Sequence, residues 1–231
     1  MTGSLWHLAL AVGLFVGSHF LLSSPPIRRP LAGRLGERPF VAAYSTLALL
    51  LFVWVLRAYG DAPLVDVWEP GTGLRHLALA VMPFACVLVV AGLTTRNPTT
   101  VGADTRAIAA RGPAGIFTVT RHPMMWGFSL WGVAHLLANG DAAGILLFGG
   151  MTVLAAAGAL AIDAKKRATL GDSWAAYEAG TSFVPLAAAV GGRARVSLAE
   201  IGWWRLALGF ALYALLLWGH GSLFGVAVWP L

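Results

Sequence analysis

Four of the six histidines lie in two apolar stretches, His7 and His19 near the start of the chain and His122 and His135 near its middle. An ionisable side chain inside a bilayer is costly and needs a partner, a ligand or a water-filled cavity. Carboxylate partners are scarce, because only ten of 231 residues are acidic. Neutral imidazole is a good ligand for iron and for other transition metals. The histidines therefore point first to a metal or haem, and second to a proton relay. His122 and His135 are thirteen residues apart, which is about 220° around a helix and about 20 Å along it. His7 and His19, twelve apart, are separated by about 18 Å. Neither pair can grip one metal from a single helix, so a shared cofactor must join different helices.

Thr120-Arg121-His122-Pro123 suggests a second kind of chemistry. Proline suits the first turn of a helix, which places Arg121 and His122 at a helix N-terminus, where backbone donors and the dipole favour an anion. A phosphate, propionate or carboxylate could dock there; the plainer reading is a topology anchor. Downstream, Asp163 to Pro185 carries Lys165, Lys166, Arg167, Trp174 and Tyr177. Trp174 and Tyr177, three apart on a short helix, read as an anchor along the membrane interface, or else as a lid over Arg121 and His122. The chain has no Cys/His metal motif, nucleotide-binding glycine loop or Ser-His-Asp order.

The elements that must position these groups are membrane helices. The chain is 58% hydrophobic and 11% charged with a mean hydropathy of +0.75, against about 25% charged residues in soluble domains. The apolar runs are continuous over about 20 residues, which suits helices rather than alternating barrel strands. The expectation is an all-α, polytopic bundle of about six transmembrane helices forming one domain. The spans read as Leu5–Leu22, Phe40–Leu56, Leu74–Leu93, Met124–Ala138, Ala142–Ile162 and Trp203–Val228. Pro25-Pro26 and Pro30 stop the first helix, and Asn139-Gly140-Asp141 marks a tight hairpin turn. The first run, with no basic leader, reads as a retained span rather than a cleaved signal. Cys86 is a small core residue, and a lone cysteine makes no intrachain disulfide.

Thirteen of the sixteen basic residues fall in three connections, those after spans one, three and five. They include Arg28, Arg29, Arg34 and Arg38, then Arg96, Arg106, Arg111 and Arg121, then Lys165 to Arg167, Arg193 and Arg195. The second connection carries Asp61, Asp66 and Glu69. The positive-inside rule places the basic loops in the cytoplasm and both termini outside it. The expected setting is a cell membrane crossed several times by the chain. The +6 charge thus reads as topology and lipid-headgroup contact, with no nucleic-acid partner. Most of the ten tryptophans, Trp6, Trp54, Trp68, Trp203, Trp204 and Trp229, lie near span ends, as an aromatic belt requires. By depth, His19 pairs with His122 near the cytoplasm and His7 with His135 near the outside.

Several motifs resemble the NnrU family of bacterial membrane proteins, whose relatives include the 15-cis-zeta-carotene isomerases. They are Ser18-His19-Phe20-Leu21-Leu22-Ser23-Ser24, Leu35-Gly36-Glu37-Arg38 with Tyr44-Ser45, Thr120-Arg121-His122-Pro123, Ala134-His135, and Gly171-Asp172 through Thr181-Ser182-Phe183-Val184-Pro185. The resemblance to the isomerase branch implies a haem b whose iron is held by His19 and His135, with His122 the alternative partner suggested by depth. It also implies redox-dependent isomerisation of an apolar small molecule such as a cis-polyene. The NnrU branch is associated with nitrite and nitric oxide respiration, which implies a non-catalytic haem protein instead. A competing resemblance is to isoprenylcysteine-type membrane methyltransferases, which carry an Arg-His-Pro element that binds S-adenosylmethionine. Here Met125 replaces their tyrosine, and Asp163 alone stands for their acidic pair.

Overall fold

The computed structural model describes residues 3–96, 107, 112–226 and 228; Arg106, Arg111 and Trp229 lie outside them. The helices are α1 (Leu5–Ser23), α2 (Pro25–Leu35), α3 (Glu37–Asp61), α4 (Thr72–Thr94), α5 (Pro123–Asn139), α6 (Ala142–Leu170), α7 (Asp172–Gly180), α8 (Ala187–Val190), α9 (Leu198–Ile201) and α10 (Trp203–Phe224). A 3-10 turn, Gly115–Thr118, precedes α5. The protein is a helical membrane bundle. Among the described residues α1, α3, α4, α6 and α10 are long and apolar enough to cross a bilayer. The remaining expected span, α5, has 17 residues, or about 26 Å, slightly less than the hydrocarbon core of about 30 Å.

Packing runs through a chain of neighbours, α3 on α1, α1 on α6, α6 on α5, α5 on α4 and α4 on α10. Without a hydrophobic force between helices in lipid, close backbone approach at small residues is what holds such neighbours. At the α4–α5 crossing a Cβ on Gly127 would lie 2.8 Å from the Ala85 carbonyl oxygen, and one on Gly92 would lie 2.9 Å from the Met124 nitrogen. At α4–α10 a Cβ on Gly209 would lie 2.7 Å from the Val87 Cα. Leu8, Val12 and Phe15 of α1, Val55 and Ala58 of α3, and Leu147 and Phe148 of α6 form the main apolar core.

The prolines after α1 do more than stop it. Ser24 breaks the helix with extended backbone, and Pro25 and Pro26 then occupy the first turn of α2, where their missing N–H groups cost nothing. Helix α6 continues past its apolar run, so that Asp163 and Arg167 remain on helix. The two ends of the bundle differ in their fastenings. At the basic end Lys165 Nζ donates to Ser23 Oγ at 3.1 Å, and Arg205 donates to the Thr94 hydroxyl and carbonyl. At the acidic end the 62–71 loop is fastened to the α5–α6 turn: Val67 and Trp68 N–H donate to the Gly140 carbonyl, and Ala142 N–H donates to Val65. Asp141 caps α6 by accepting from Gly144 N–H at 2.8 Å. Trp6, Trp203 and Trp204 are exposed near helix ends, where an aromatic belt places them.

Candidate functional site

A buried polar centre lies at the basic end, where α5 begins. The segment 119–121 runs against 182–186: Arg121 N–H donates to the Ser182 carbonyl, Leu186 N–H donates to Val119, and Thr120 Oγ donates to Phe183. Trp126 Nε1 reaches the same Phe183 carbonyl at 2.7 Å. These bonds hold the strap after α7 over the mouth of α5. The Phe183 ring lies 5.8 Å from both the His122 ring and the Arg121 guanidinium.

Beneath the strap, Asp163 of α6 receives two side chains. Arg121 donates to its Oδ2 through Nε at 2.8 Å and Nη2 at 2.6 Å, and His122 Nε2 meets Oδ1 at 2.7 Å. Glu178 of α7 lies 3.3 Å from Arg121 and accepts two bonds from Arg167, at 2.9 and 2.7 Å. The two arginines and two carboxylates balance in charge. The anion expected at this helix mouth is therefore the chain's own Asp163 carboxylate, and Arg121 is already satisfied. Two buried atoms are not: His122 Nδ1 and Trp174 Nε1 have no hydrogen-bond partner among the described residues.

Trp174 and Tyr177 are buried, at 0% and 2% exposure, with their ring centroids 5.3 Å apart. Both side chains are enclosed by the protein, with Leu170 packed against them. Burial raises the pKa of the Tyr177 hydroxyl, with nearby Arg121 opposing, so the phenol stays neutral. Glu178 went unnoticed in the sequence reading, although it follows Tyr177 directly and is the one acidic residue between Asp172 and Glu200.

The histidines within the bundle are arranged differently. His19 Nδ1 lies 2.7 Å from the Phe15 carbonyl, and His135 Nδ1 lies 2.8 Å from the Trp131 carbonyl. Donation from Nδ1 fixes the tautomer and leaves Nε2 as an acceptor, the arrangement a metal-bound histidine adopts. His76 makes the same bond to Thr72, so this bond permits ligation without marking it. Direction separates the pair. His19 packs on Phe15 and on Tyr44 of α3, whereas His135 packs on Trp131, Phe148 of α6 and His220 of α10. Gly150 lies against Val12 and Val16, which sets the level of α1 against α6 and puts His19 roughly 10 Å deeper toward the basic end than His135.

His135 thus keeps its Nε2 outside the bond to Trp131 and sits among aromatic rings, but the structure does not bring His19 against it. His122 is no better placed as a partner, because its Nε2 is engaged by Asp163. Among the described residues no three His, Cys, Asp or Glu side chains gather as a metal cluster. His7 accepts from Trp54 Nε1 at 2.7 Å and is exposed.

No curated protein and no solved structure matches the chain. Residues 7–228 match the family described as NnrU protein, and the chain, a multi-pass helical membrane protein, belongs to that family.

Proposed function

We propose that this protein binds haem b through His135 and uses it in redox-dependent chemistry on a small apolar molecule, of the cis–trans isomerase kind. The observation that carries the reading is the His135 imidazole, tethered by Nδ1 to Trp131, open at Nε2 and flanked by the Trp131 and Phe148 rings. Bound haem would supply an iron able to change oxidation state and accept an axial ligand. The chain's own part is to hold His135 in one tautomer, to exclude water with aromatic side chains and to admit an apolar substrate from the bilayer. In the same reading the protein sits in a bacterial inner membrane with the Arg121–Asp163 centre facing the cytoplasm. A C-terminal alkaline phosphatase fusion is then active, and an inactive one would reverse the orientation.

The test is the visible spectrum of detergent-purified protein after haem feeding, oxidised and dithionite-reduced. A Soret band with sharp reduced bands is expected, and His135→Ala is expected to lower haem occupancy at least about tenfold. Absence of a Soret band would refute the reading. Nitric oxide binding to the haem without turnover of any substrate would instead favour a non-catalytic role in nitrogen-oxide respiration.

A second reading has its own observation. Glu178 supplies in space the second carboxylate that the sequence lacks ahead of its glycine tract, and His122 Nδ1 and Trp174 Nε1 are buried without a hydrogen-bond partner among the described residues. This favours S-adenosylmethionine binding under the strap. Calorimetry with S-adenosylmethionine decides it, and no binding would remove it.

A further inference from the structure

At the acidic end of the bundle the ring of His135 on α5 faces the ring of His220 on α10, with centroids 6.4 Å apart and planes within 21°. His220 stands four residues before the end of α10. Its Nδ1 lies 2.8 Å from the Val226 carbonyl, just past the end of α10. The His135 Nδ1 is likewise occupied by a carbonyl. Among the described residues neither Nε2 has a hydrogen-bond partner, so both imidazoles keep an acceptor nitrogen, and two acceptors cannot satisfy one another. A group that accepts electron pairs from both nitrogens would satisfy the pair.

Geometry narrows what that is. Two imidazoles on opposite sides of one ion, each about 2.0–2.1 Å from it through nitrogen, have centroids about 6 Å apart. The observed separation matches this, and near-parallel planes are compatible with it. The rings are backed by Phe148 at 5.0 Å from His135 and Phe224 at 5.0 Å from His220. Imidazole suits iron, copper, nickel and zinc.

We infer that His135 and His220 form a two-imidazole site that holds one transition-metal centre between α5 and α10. The shared chemistry is an ion that accepts imidazole nitrogen from two sides, and it has two sources, the iron of haem or a free divalent ion. Only the identity of the metal as haem iron rests on the function proposed above. The site would also lock α10, which otherwise packs on α4 alone among the larger helix contacts, to the helix carrying His135.

The experiment uses the full-length protein in detergent, in two arms, with His220→Gly, His135→Gly and His19→Ala beside the parent chain. In the haem arm, electron paramagnetic resonance and reduced spectra are expected to show low-spin iron in the parent and in His19→Ala. Both glycine variants turn high-spin or lose haem, and added free imidazole restores the low-spin signal. The imidazole rescue separates lost ligation from lost folding. In the copper arm, haem-free protein receives Cu2+ alone; nitrogen splitting from two imidazoles is expected, and each glycine variant weakens binding at least about tenfold. A silent haem arm with a positive copper arm assigns the pair to a free ion and refutes the haem reading alone. The inference is overturned if His220→Gly keeps the parent's signals in both arms, or if His19→Ala is the variant that changes them.

Discussion

Asp163→Ala is expected to cost about 3–5 kcal/mol of stability, the usual consequence of removing one partner from a buried ionic group. The side chain is 1% exposed and receives Arg121 through two nitrogens and His122 through one. Alanine would leave a buried guanidinium with only Glu178 at 3.3 Å and would orphan the second nitrogen of His122, whose first is already unpartnered. Denaturant unfolding in detergent reads the loss directly. Asp163→Leu combined with Arg121→Met should recover part of it, because the pair is then removed together rather than broken. A coupling energy near zero in the double-mutant cycle would show that the two residues do not support one another. Glu178→Gln should cost less, since Glu178 is more exposed than Asp163 and its other partner, Arg167, is largely in solvent.

Gly140→Val is expected to destabilise the acidic end by about 3 kcal/mol or more. Gly140 has φ +76°, and the left-handed conformation costs other residues about 1–2 kcal/mol. Its new Cβ would collide with the Trp68 carbonyl oxygen and stand 2.9 Å from Pro70 Cδ. Relief means lifting the 62–71 loop away, which breaks the bonds from Val67 and Trp68 N–H to the Gly140 carbonyl, each worth about 0.5–1.5 kcal/mol. A lower thermal midpoint and faster proteolysis within 62–71 are the expected results. Gly60→Ala, where a Cβ meets nothing within 4 Å, is the control and should be neutral or slightly stabilising. Equal behaviour of the two variants would show that the loop is not fastened there.

The spans were legible because a bilayer demands continuous apolar length, and that demand is local in sequence. Leu5–Leu22 became Leu5–Ser23 and Leu74–Leu93 became Thr72–Thr94. The misjudged ends are those where packing overrides hydropathy. Helix α6 runs eight residues beyond Ile162 because Asp163 and Arg167 find partners on the segment that enters α5 and on α7. Proline was read as a terminator between α1 and α3, whereas Pro25 and Pro26 also start a helix. The polar centre was half legible: Arg-His-Pro and Asp163 stood out by type, but Glu178 acquires meaning only when α7 folds back. Trp174 and Tyr177 look the same in sequence whether they lie on lipid or under a strap, because both places reward a large amphipathic ring. The relation of His135 to His220 spans 85 positions, and no helical periodicity reports contacts at that range.

The centre beneath the strap also orders events during synthesis. Arg121 enters the membrane region 42 residues ahead of Asp163 and 57 ahead of Glu178. The bonds that close over it come from Ser182, Phe183 and Leu186, later still. Helix α5, the shortest of the six that build the bundle, therefore emerges with an unneutralised arginine at its entrance and with its backbone uncovered. Its firm seating waits until α6 has crossed and α7 has turned back. A nascent chain that has released α5 but not yet α7 from the ribosome should hold α5 loosely and open to protease or chaperone, and one that has released residues up to 190 should hold it protected.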